Sequence, residues 1–346
     1  MAHHHPQLKV MILAAGLGTR LLPLTKILPK PLIPIFGVPL LHLLLLKVKS
    51  AGFKSVAINV HHHIEKIQAS LDIFQSQMDY FLSREEPTLL GTAGAYRPIH
   101  KWREGKDLLV LNGDIVSDLN LEDLISVHFD RNPGLATLLL CDPPAPGKTL
   151  IWCKDHRIIS IGEKPQDPEA KPYSFSCVQI LSDELLEQIQ PSKEKEIIPI
   201  YLDLLRANKP LKANIQKINF WHDIGSISSL FNFHKNLMDH KQSNDLLGTL
   251  HILEALTLLK KHALIVERGE VADLDEGQVL GPAFILLPCK LSSGSQLGPY
   301  TILQEESHFL GKSSAQNSMV LSKKTFTEAV HMDHLIWLDE ISCKFK

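Results

Sequence analysis

The chain has 346 residues, 44% of them hydrophobic and 21% charged, so it can bury a large core and is long enough for about two domains. Its 36 basic and 38 acidic residues leave a formal charge of −2, so we expect neither a nucleic acid nor a membrane among its partners. The five cysteines lack C-x-x-C spacing, which fits reduced thiols and predicts a cytoplasmic location. Any phosphate binding must therefore be local, built from a few placed cations and backbone amides.

From residue 9 to about residue 224, short β-rich runs alternate with amphipathic stretches. This alternation predicts an α/β fold, a Rossmann-like and mostly parallel sheet with flanking helices. Strands are predicted at 10–14, 55–60, 80–83, 108–111 and 136–141, and a helix over 40–51. Open α/β sheets bind ligands beyond the carboxyl ends of their strands, so functional residues are expected in the turns that follow these strands.

The pattern changes after residue 225, where a helical region is predicted over 226–262 that includes a helix at 246–261. Beyond it, residues 280–285 and 297–302 read LGPAFI and LGPYTI, offset by one residue less than three hexapeptides. Such pairs predict a small β-rich domain, a degenerate left-handed β-helix, with a plain β-rich cap as the alternative. The predicted domains are 8–240, a helical linker at 241–262, and the β-rich domain at 263–346.

The strongest motif is residues 13–32, LAAGLGTRLLPLTKILPKPL, directly after the first predicted strand. Gly16 and Gly18 let the backbone approach a ligand closely, so that N–H groups can point at phosphate oxygens. Arg20 and Lys30 supply cations, and the prolines on both sides of Lys30 stiffen that segment. A glycine-rich turn with surface cations is the alternative interpretation.

This stretch closely resembles the signature of the sugar-phosphate nucleotidyltransferases, G-x-G-T-R-L-x-P-L-T followed by P-K-P-L. In that family the loop wraps a nucleoside triphosphate, and its arginine and lysine bind the phosphates. The nucleotide-binding residues that the resemblance implies here are Ala14, Ala15, Gly16, Gly18, Thr19, Arg20 and Lys30. One departure is Leu22, where many members carry a second arginine.

Residues 90–95, LGTAGA, resemble the base-binding turn of the same family. Small side chains let a flat nucleobase lie against the backbone, whose amides and carbonyls can read its edge. The resemblance implies nucleotide contacts by Gly91, Thr92, Ala93 and Gly94. An alanine-rich helix start is the alternative.

Asp114 ends the apolar run LVLNGD, and a lone aspartate after a strand is usually a turn or cap residue. The resemblance gives it a different role, because the family uses this aspartate to bind Mg²⁺ together with the aspartate of a W-x-D-I-G motif, here Asp223. Mg²⁺ prefers carboxylates, waters and phosphate oxygens, so two aspartates are enough. The implied cofactor is Mg²⁺, and the implied catalytic residues are Arg20, Lys30 and Asp114.

The sugar-phosphate site is implied by Glu163 and Lys164, which match the E-K-P motif of the family. Glu163 can accept hydrogen bonds from sugar hydroxyls, and Lys164 can neutralise the phosphate. Asn112 belongs to the same predicted site, as does Cys177, which stands where the family has a glycine and would narrow the pocket. A solvated charge pair at 163–164 is the alternative.

The three histidines at 61–63 follow a predicted strand, but adjacent residues of an extended segment cannot all face one metal. We therefore do not assign them a metal site. An N-x-H-H stretch also occurs at this place in the family, near the nucleotide pocket.

The resemblance implies an enzyme that joins an NTP and a sugar 1-phosphate into a nucleotide-sugar and releases pyrophosphate. The combination of G-T-R-L, G-T-A-G-A and a β-helix-like tail is similar to mannose-1-phosphate guanylyltransferases, so GTP and mannose 1-phosphate are the leading substrates. Uridylyl or thymidylyl transfer to another sugar 1-phosphate stays open, as does a non-catalytic subunit that binds nucleotide-sugars. The C-terminal domain is expected to form a homo-oligomer rather than to transfer an acyl group.

Overall fold

The structure, a computed structural model, describes residues 5–75, 77–131, 134–145, 147–190, 195–239 and 247–345. The chain divides into two compact units that interleave along the sequence. The first unit comprises Met1–Leu17 and Lys47–His222, and the second comprises Gly18–Leu46 and Asp223–Lys346. The domain boundaries expected near residues 240 and 263 stay predictions.

A nine-stranded sheet forms the centre of the first unit. Its strands in chain order are β1 (Leu8–Leu13), β2 (Ser55–Val60), β3 (Asp79–Arg84), β4 (Asp107–Asn112), β5 (Ala136–Asp142), β6 (Leu150–Lys154), β7 (Arg157–Ile161), β8 (Lys171–Leu181) and β9 (Leu211–Lys217). Across the sheet they lie in the order β3-β2-β1-β4-β8-β5-β9-β7-β6. The five strands predicted from the sequence are confirmed, each within two residues at either end.

The expectation of a mostly parallel sheet is wrong, because the sheet is mixed. Strands β3, β2, β1 and β4 are parallel to one another, and β5 is parallel to β9. Strand β8, however, runs antiparallel to both β4 and β5, and β6 and β7 form an antiparallel hairpin. The direction of a strand is not written in its hydrophobic pattern, so the alternation of strands and helices could not reveal these reversals.

Helices cover the sheet because each presents an apolar stripe. In the helix Ile197–Arg206, Ile197, Ile200, Tyr201 and Leu204 are buried, which is the spacing of one helical face. The α-helices of the described residues include Leu40–Ser50, Ile64–Leu71, Gly91–Gly94, His100–Arg103, Leu121–His128, Asp183–Gln188, Ile197–Arg206, Ile227–Asp239 and Ile252–Leu258. Single 3-10 turns occupy Thr19–Leu21, Leu24–Lys26, Lys30–Leu32 and Asp72–Phe74.

The helix predicted at 246–261 is shorter than expected. Residue 246 lies outside the described residues, and the helix Ile252–Leu258 begins after His251, whose φ of 60° interrupts the helical backbone. No helix in the part of the chain that the structure describes is long and apolar enough to cross a membrane.

The C-terminal part of the second unit is rich in short strands. They are His262–Val266, Val271–Leu274, Gly277–Leu280, Ala283–Leu287, Lys290–Leu291, Gln296–Leu297, Thr301–Leu303, Ser307–Phe309, Ser314–Gln316, Ser318–Val320, Lys324–Phe326, His331–Asp333, Leu335–Leu338 and Ile341–Lys344. These strands form sheets of six, five and three strands, with parallel pairing between most neighbours. A β-rich C-terminal region is therefore present, as predicted.

The alignment of the two LGP repeats is wrong by one residue. The structure pairs Val279 with Leu297, and Leu297 in turn with Ala315, so successive strands lie eighteen residues apart at this level. Val279, Leu297 and Ala315 are all buried, whereas the Gly-Pro pairs lie between strands. Strand pairing follows the apolar positions, and the two Gly-Pro pairs are displaced by one residue relative to this pairing.

Candidate functional site

The glycine-rich turn of the second unit places a lysine against its backbone. Gly18 has a φ of +63°, and a Cβ there would lie 2.8 Å from Thr25 Cγ2 and 3.2 Å from Lys30 Cβ. The Thr25 hydroxyl donates a hydrogen bond to Gly18 O over 3.0 Å. Glycine is thus required for both conformation and space. The predicted phosphate ligands Gly18 and Lys30 are neighbours.

Arg20 and Asp223 lie around a second glycine of the same unit. A Cβ on Gly225 would be 2.5 Å from Arg20 Nη2 and 2.8 Å from Asp223 Oδ1. Ser229 holds this turn, because its hydroxyl donates to the Asp223 carbonyl oxygen. The second unit therefore brings together an arginine and an aspartate that the sequence separates by about two hundred residues.

In the first unit, the carboxyl ends of three parallel strands form one row. Leu13, the last residue of β1, pairs with Asn59 of β2 and with Asn112 of β4. Gly113 N donates to Leu13 O over 2.8 Å, and a Cβ on Gly113 would lie 2.4 Å from that oxygen. The chain can therefore cross the end of β1 only with glycine at this position, and Asp114 follows directly.

The turn Gly91–Gly94 is tied to the segment before the helix Ile197–Arg206. Ala93 N donates to Lys195 O over 2.8 Å. The Thr92 hydroxyl donates to Glu196 Oε2 and accepts from Ile197 N, both over 2.9 Å. The Thr92 hydroxyl is thus already engaged as a donor and as an acceptor within the protein, so we expect a nucleotide contact by Thr92 to come from its backbone.

Two buried residues that the sequence analysis missed connect this turn to the glycine-rich loop. Ala14 N donates to Asn59 Oδ1 over 2.6 Å, and Asn59 Nδ2 donates to Glu85 Oε1 over 2.8 Å. The second oxygen of Glu85 accepts from Leu90 N over 2.9 Å. A sequence signal existed, since Asn59 is the one polar residue between the apolar positions 56 and 60. Its partner Glu85 could not be identified in the same way.

Cys177 adopts a backbone conformation that favours glycine. Its φ is +66°, and the pairing of β8 with β5 shifts between Phe175 and Gln179, which marks a bulge at this position. Trp221 Nε1 donates to Ser176 O over 3.0 Å and thereby holds the bulge. Cys177 is half-buried and forms no disulfide. The backbone thus has the form expected for a glycine, although the side chain differs.

Glu163 and Lys164 are exposed and lie in the turn after β7. The Ser160 hydroxyl donates to Glu163 O over 2.7 Å. Lys164 Nζ lies 5.8 Å from the centroid of the Trp152 ring. Both side chains remain accessible to a ligand, and their roles in sugar-phosphate binding stay predictions.

The predicted metal ligands are divided between the units, Asp114 in the first and Asp223 in the second, so joint binding of one ion stays a prediction. Within the described ranges, no group of three or more His, Cys, Asp or Glu side chains could hold a metal ion. Two carboxylates fit a Mg²⁺ ion that takes its other ligands from phosphates and water.

Among the three adjacent histidines, His61 Nδ1 donates to Glu85 O over 2.6 Å. Partial burial, together with the neighbouring His63 and His61, lowers the pKa of His62. The His61 ring is therefore held by the backbone of the residue that follows β3.

A nucleotidyl transferase family profile matches residues 9–240. The bifunctional protein GlmU of Methanococcus aeolicus is 27% identical over 265 residues, 75% of this chain, and the match spans 60% of the length of that GlmU. A mannose-1-phosphate guanylyltransferase of Mycobacterium tuberculosis is 27% identical over 312 residues, covering 88% of this chain and 79% of the relative.

Among solved structures, the inositol-1-phosphate CTP transferase from T. maritima superposes with a TM-score of 0.55 at 15% identity. The superposition covers 70% of this chain and 96% of that structure. At this identity the likeness concerns the fold.

Proposed function

Because the chain belongs to the nucleotidyl transferase family, among the sugar-phosphate nucleotidyltransferases, we propose that it joins an NTP and a sugar 1-phosphate. An oxygen of the sugar phosphate attacks the α-phosphorus of the NTP. A bond from that oxygen to the α-phosphorus forms, the bond from the α-phosphorus to the bridging oxygen breaks, and pyrophosphate leaves in line. The product is a nucleotide-sugar.

The proposal depends above all on one observation in the second unit. Lys30 lies over Gly18, and Arg20 lies beside Asp223 at Gly225. Two cations and a carboxylate thus lie against glycine backbone, where a larger residue would displace them. On a chain with a formal charge of −2, this local placement is what phosphate binding needs.

Charge neutralisation and positioning would supply the catalysis. The second pKa of a phosphate monoester is about 6, so the nucleophile is already ionised near neutral pH and needs no general base. Arg20 and Lys30 would bind the triphosphate and Lys164 the sugar phosphate, which offsets the repulsion between the two substrates. Asp114 and Asp223 would hold Mg²⁺, which neutralises phosphate charge when bound.

The remaining predicted contacts divide between the two substrates. The residues proposed to bind the nucleotide, besides Arg20 and Lys30, are Ala14, Ala15, Gly16, Gly18, Thr19, Gly91, Thr92, Ala93 and Gly94. Those proposed to bind the sugar phosphate, besides Lys164, are Asn112, Glu163 and Cys177.

We propose GTP and mannose 1-phosphate as the substrates, a choice supported by the motif combination and by the guanylyltransferase relative at 27% identity. Uridylyl or thymidylyl transfer to another sugar 1-phosphate is the alternative within the same reaction.

For the C-terminal strands we propose a degenerate left-handed β-helix with an oligomer-forming role. Its support is the parallel pairing in three sheets and the spacing of eighteen residues between stacked strands.

A pyrophosphate-release screen that crosses each NTP with several sugar 1-phosphates tests the reaction and the substrates together. Release with GTP and mannose 1-phosphate supports the full proposal, and release with another pair reassigns base and sugar. Binding of nucleotide-sugars without release from any pair would instead favour a non-catalytic subunit.

The metal assignment is tested by Asp114→Asn at saturating Mg²⁺, which we expect to reduce turnover roughly a hundredfold or more because one electrostatic group is lost. Asp118→Asn is the matched control, since the Asp118 carboxylate accepts hydrogen bonds from Asn219 N and Phe220 N. Near-normal pyrophosphate release by Asp114→Asn would refute the assignment.

A further inference from the structure

We propose that Asn59 and Glu85 are positioning residues that hold the glycine-rich loop and the base-binding turn at a fixed spacing. One nucleoside triphosphate must contact both segments, so this spacing would set NTP affinity. The inference rests on the proposed function and extends it to two residues that touch no substrate.

The connection is a continuous chain of hydrogen bonds within the first unit. It begins at Ala14 N, the first residue after β1, and passes through the Asn59 amide to one oxygen of Glu85. It ends where the other oxygen of Glu85 accepts from Leu90 N, one residue before Gly91. The bonds measure 2.6, 2.8 and 2.9 Å in that order.

Burial makes this connection stiff. Asn59 is 4% exposed and Glu85 is 1% exposed, so water does not compete for these bonds. Hydrogen bonds to a carboxylate are shorter and stronger than those between neutral groups. A buried carboxylate that lost one of its partners would be costly, so the structure has to keep both donors in place.

The strands themselves do not need these bonds. Ladder pairing already fixes β1 against β2, where Leu13 lies opposite Asn59, and β2 against β3, where Asn59 lies opposite Ser83. The Asn59 and Glu85 side chains instead bind backbone N–H groups just outside the strands, at the two segments assigned to the nucleotide. A displacement of about 1 Å at such a segment can cost roughly a hundredfold in rate.

The direction of each hydrogen bond between Ala14 N, Asn59, Glu85 and Leu90 N gives a selective test. In Glu85→Gln, the introduced amide has only one acceptor oxygen, so its NH₂ group faces either Leu90 N–H or the Asn59 NH₂ group. In Asn59→Asp, the introduced carboxylate still accepts from Ala14 N but places an oxygen against Glu85 Oε1. Each single substitution therefore breaks one link.

The double variant restores every hydrogen bond, with donor and acceptor exchanged in the bond between the side chains at positions 59 and 85. When Asn59→Asp and Glu85→Gln are combined, the introduced amide donates to the introduced carboxylate and accepts from Leu90 N. We expect each single variant to raise the KM for the NTP roughly tenfold while the KM for the sugar phosphate changes by less than about twofold. The double variant should return to within about threefold of the wild-type KM for the NTP.

Thr137→Val is the matched control. Thr137 is fully buried, and its hydroxyl is 2.8 Å from His128 Nδ1, but it lies at the opposite end of the sheet, near the start of β5. This variant should lower the melting temperature and leave the KM for the NTP unchanged.

Two results would overturn the inference: single variants with an unchanged KM for the NTP, or a double variant no better than the worse single variant. Either is separable from failure of the proposed function, in which the wild-type protein would release no pyrophosphate from any NTP. In that event, calorimetric titration with the NTP alone still compares wild type and variants. Equal affinities would then refute the inference.

Discussion

At the level of single residues, Cys177 shows how a departure from a family motif can leave the backbone unchanged. Its φ of +66° lies in the left-handed region, which costs a residue with a Cβ about 1–2 kcal/mol. The bulge in β8 and the hydrogen bond from Trp221 to Ser176 keep this conformation in place. The thiol therefore sits on a strained backbone.

We predict that Cys177→Gly is more stable than Cys177→Ala by about 1 kcal/mol. Only glycine removes the strain of the left-handed backbone, and its larger loss of conformational entropy on folding offsets part of this gain. Alanine is the matched comparison, since it removes the sulfur and keeps the Cβ. Urea unfolding at equilibrium measures the difference. A glycine variant that is less stable than the alanine variant would contradict the strain argument.

Two glycines beside the predicted metal aspartates should respond differently to alanine. A Cβ on Gly225 meets the end of the flexible Arg20 side chain, whereas a Cβ on Gly113 meets the backbone oxygen of Leu13. We therefore expect Gly225→Ala to keep its stability but lose roughly tenfold in turnover as the guanidinium moves. Gly113→Ala should lose about 1–3 kcal/mol of unfolding free energy.

Thermal unfolding and pyrophosphate release, measured on both glycine variants, separate the two effects. If Gly225→Ala unfolds as early as Gly113→Ala, or turns over normally, then Arg20 is not displaced in the way that the geometry indicates.

The charged residues proposed for the site were singled out by their resemblance to family motifs, and their roles stay predictions. Asn59 stands in the N-x-H-H stretch, but its partner Glu85 lies 26 positions away and has no motif of its own. Their roles depend on which backbone N–H groups the fold brings to them. The three-dimensional fold, and not the local sequence, determines which N–H groups these are.

At the level of elements, the hydrophobic runs located the first five strands but not the hairpin of β6 and β7. Its two turn residues, Asp155 and His156, both have positive φ, the conformation of a type I′ turn. That turn is usually signalled by Asn-Gly or Asp-Gly, and here neither residue is glycine. The hairpin was not predicted because its turn lacks the expected glycine.

The helix Leu40–Ser50 carries a lysine whose proton binding depends on folding. Burial lowers the pKa of Lys47 from 10.5 to about 8, opposed by the nearby Asp118. Lys47 Nζ donates to Ser117 O over 2.8 Å. Between these two pKa values the unfolded chain binds more protons here than the folded chain, so the free energy of unfolding rises with pH. This gain is lost as the pH falls through about 8.

We predict that Lys47→Met removes this part of the pH dependence. Between about pH 7.5 and about pH 9.5, the melting temperature of the variant should fall relative to that of the wild type, because only the wild type has the gain. Lys49→Met, on the same helix, is the control. A constant difference in melting temperature between Lys47→Met and the wild type across this range would show that folding does not change proton binding by Lys47.

At the level of the whole molecule, the interleaved units were not foreseeable from the sequence. The sequence pattern changes after residue 225 and again near residue 263, so a linear division into domains was the natural expectation. The second unit joins Gly18–Leu46, which carries Arg20 and Lys30, with the C-terminal strands. Long-range packing decides such a division, and local patterns do not report it.

The packing within that unit connects Gly18–Leu46, the segment that carries Arg20 and Lys30, to the C-terminal strands. The rings of Phe36 and Phe284 lie 4.7 Å apart, edge to face, and Lys261 Nζ donates to Gly37 O over 3.1 Å. A Cβ on Gly37 would meet Leu286 Cδ1 at 2.0 Å. The C-terminal strands thus pack against the segment that carries Arg20 and Lys30.

We therefore predict that Phe284→Ala weakens NTP use beyond its effect on stability. Phe309→Ala is the matched control, because Phe309 is equally buried but packs on Phe326, further along the strands. Both variants should lose about 3–5 kcal/mol of unfolding free energy, since each leaves a cavity in a packed core. Only Phe284→Ala should raise the KM for the NTP, by roughly fivefold, as the segment carrying Lys30 loosens. The test is to measure the KM for the NTP of both variants at a temperature where both remain folded. Equal KM values would mean that the C-terminal strands contribute to stability alone.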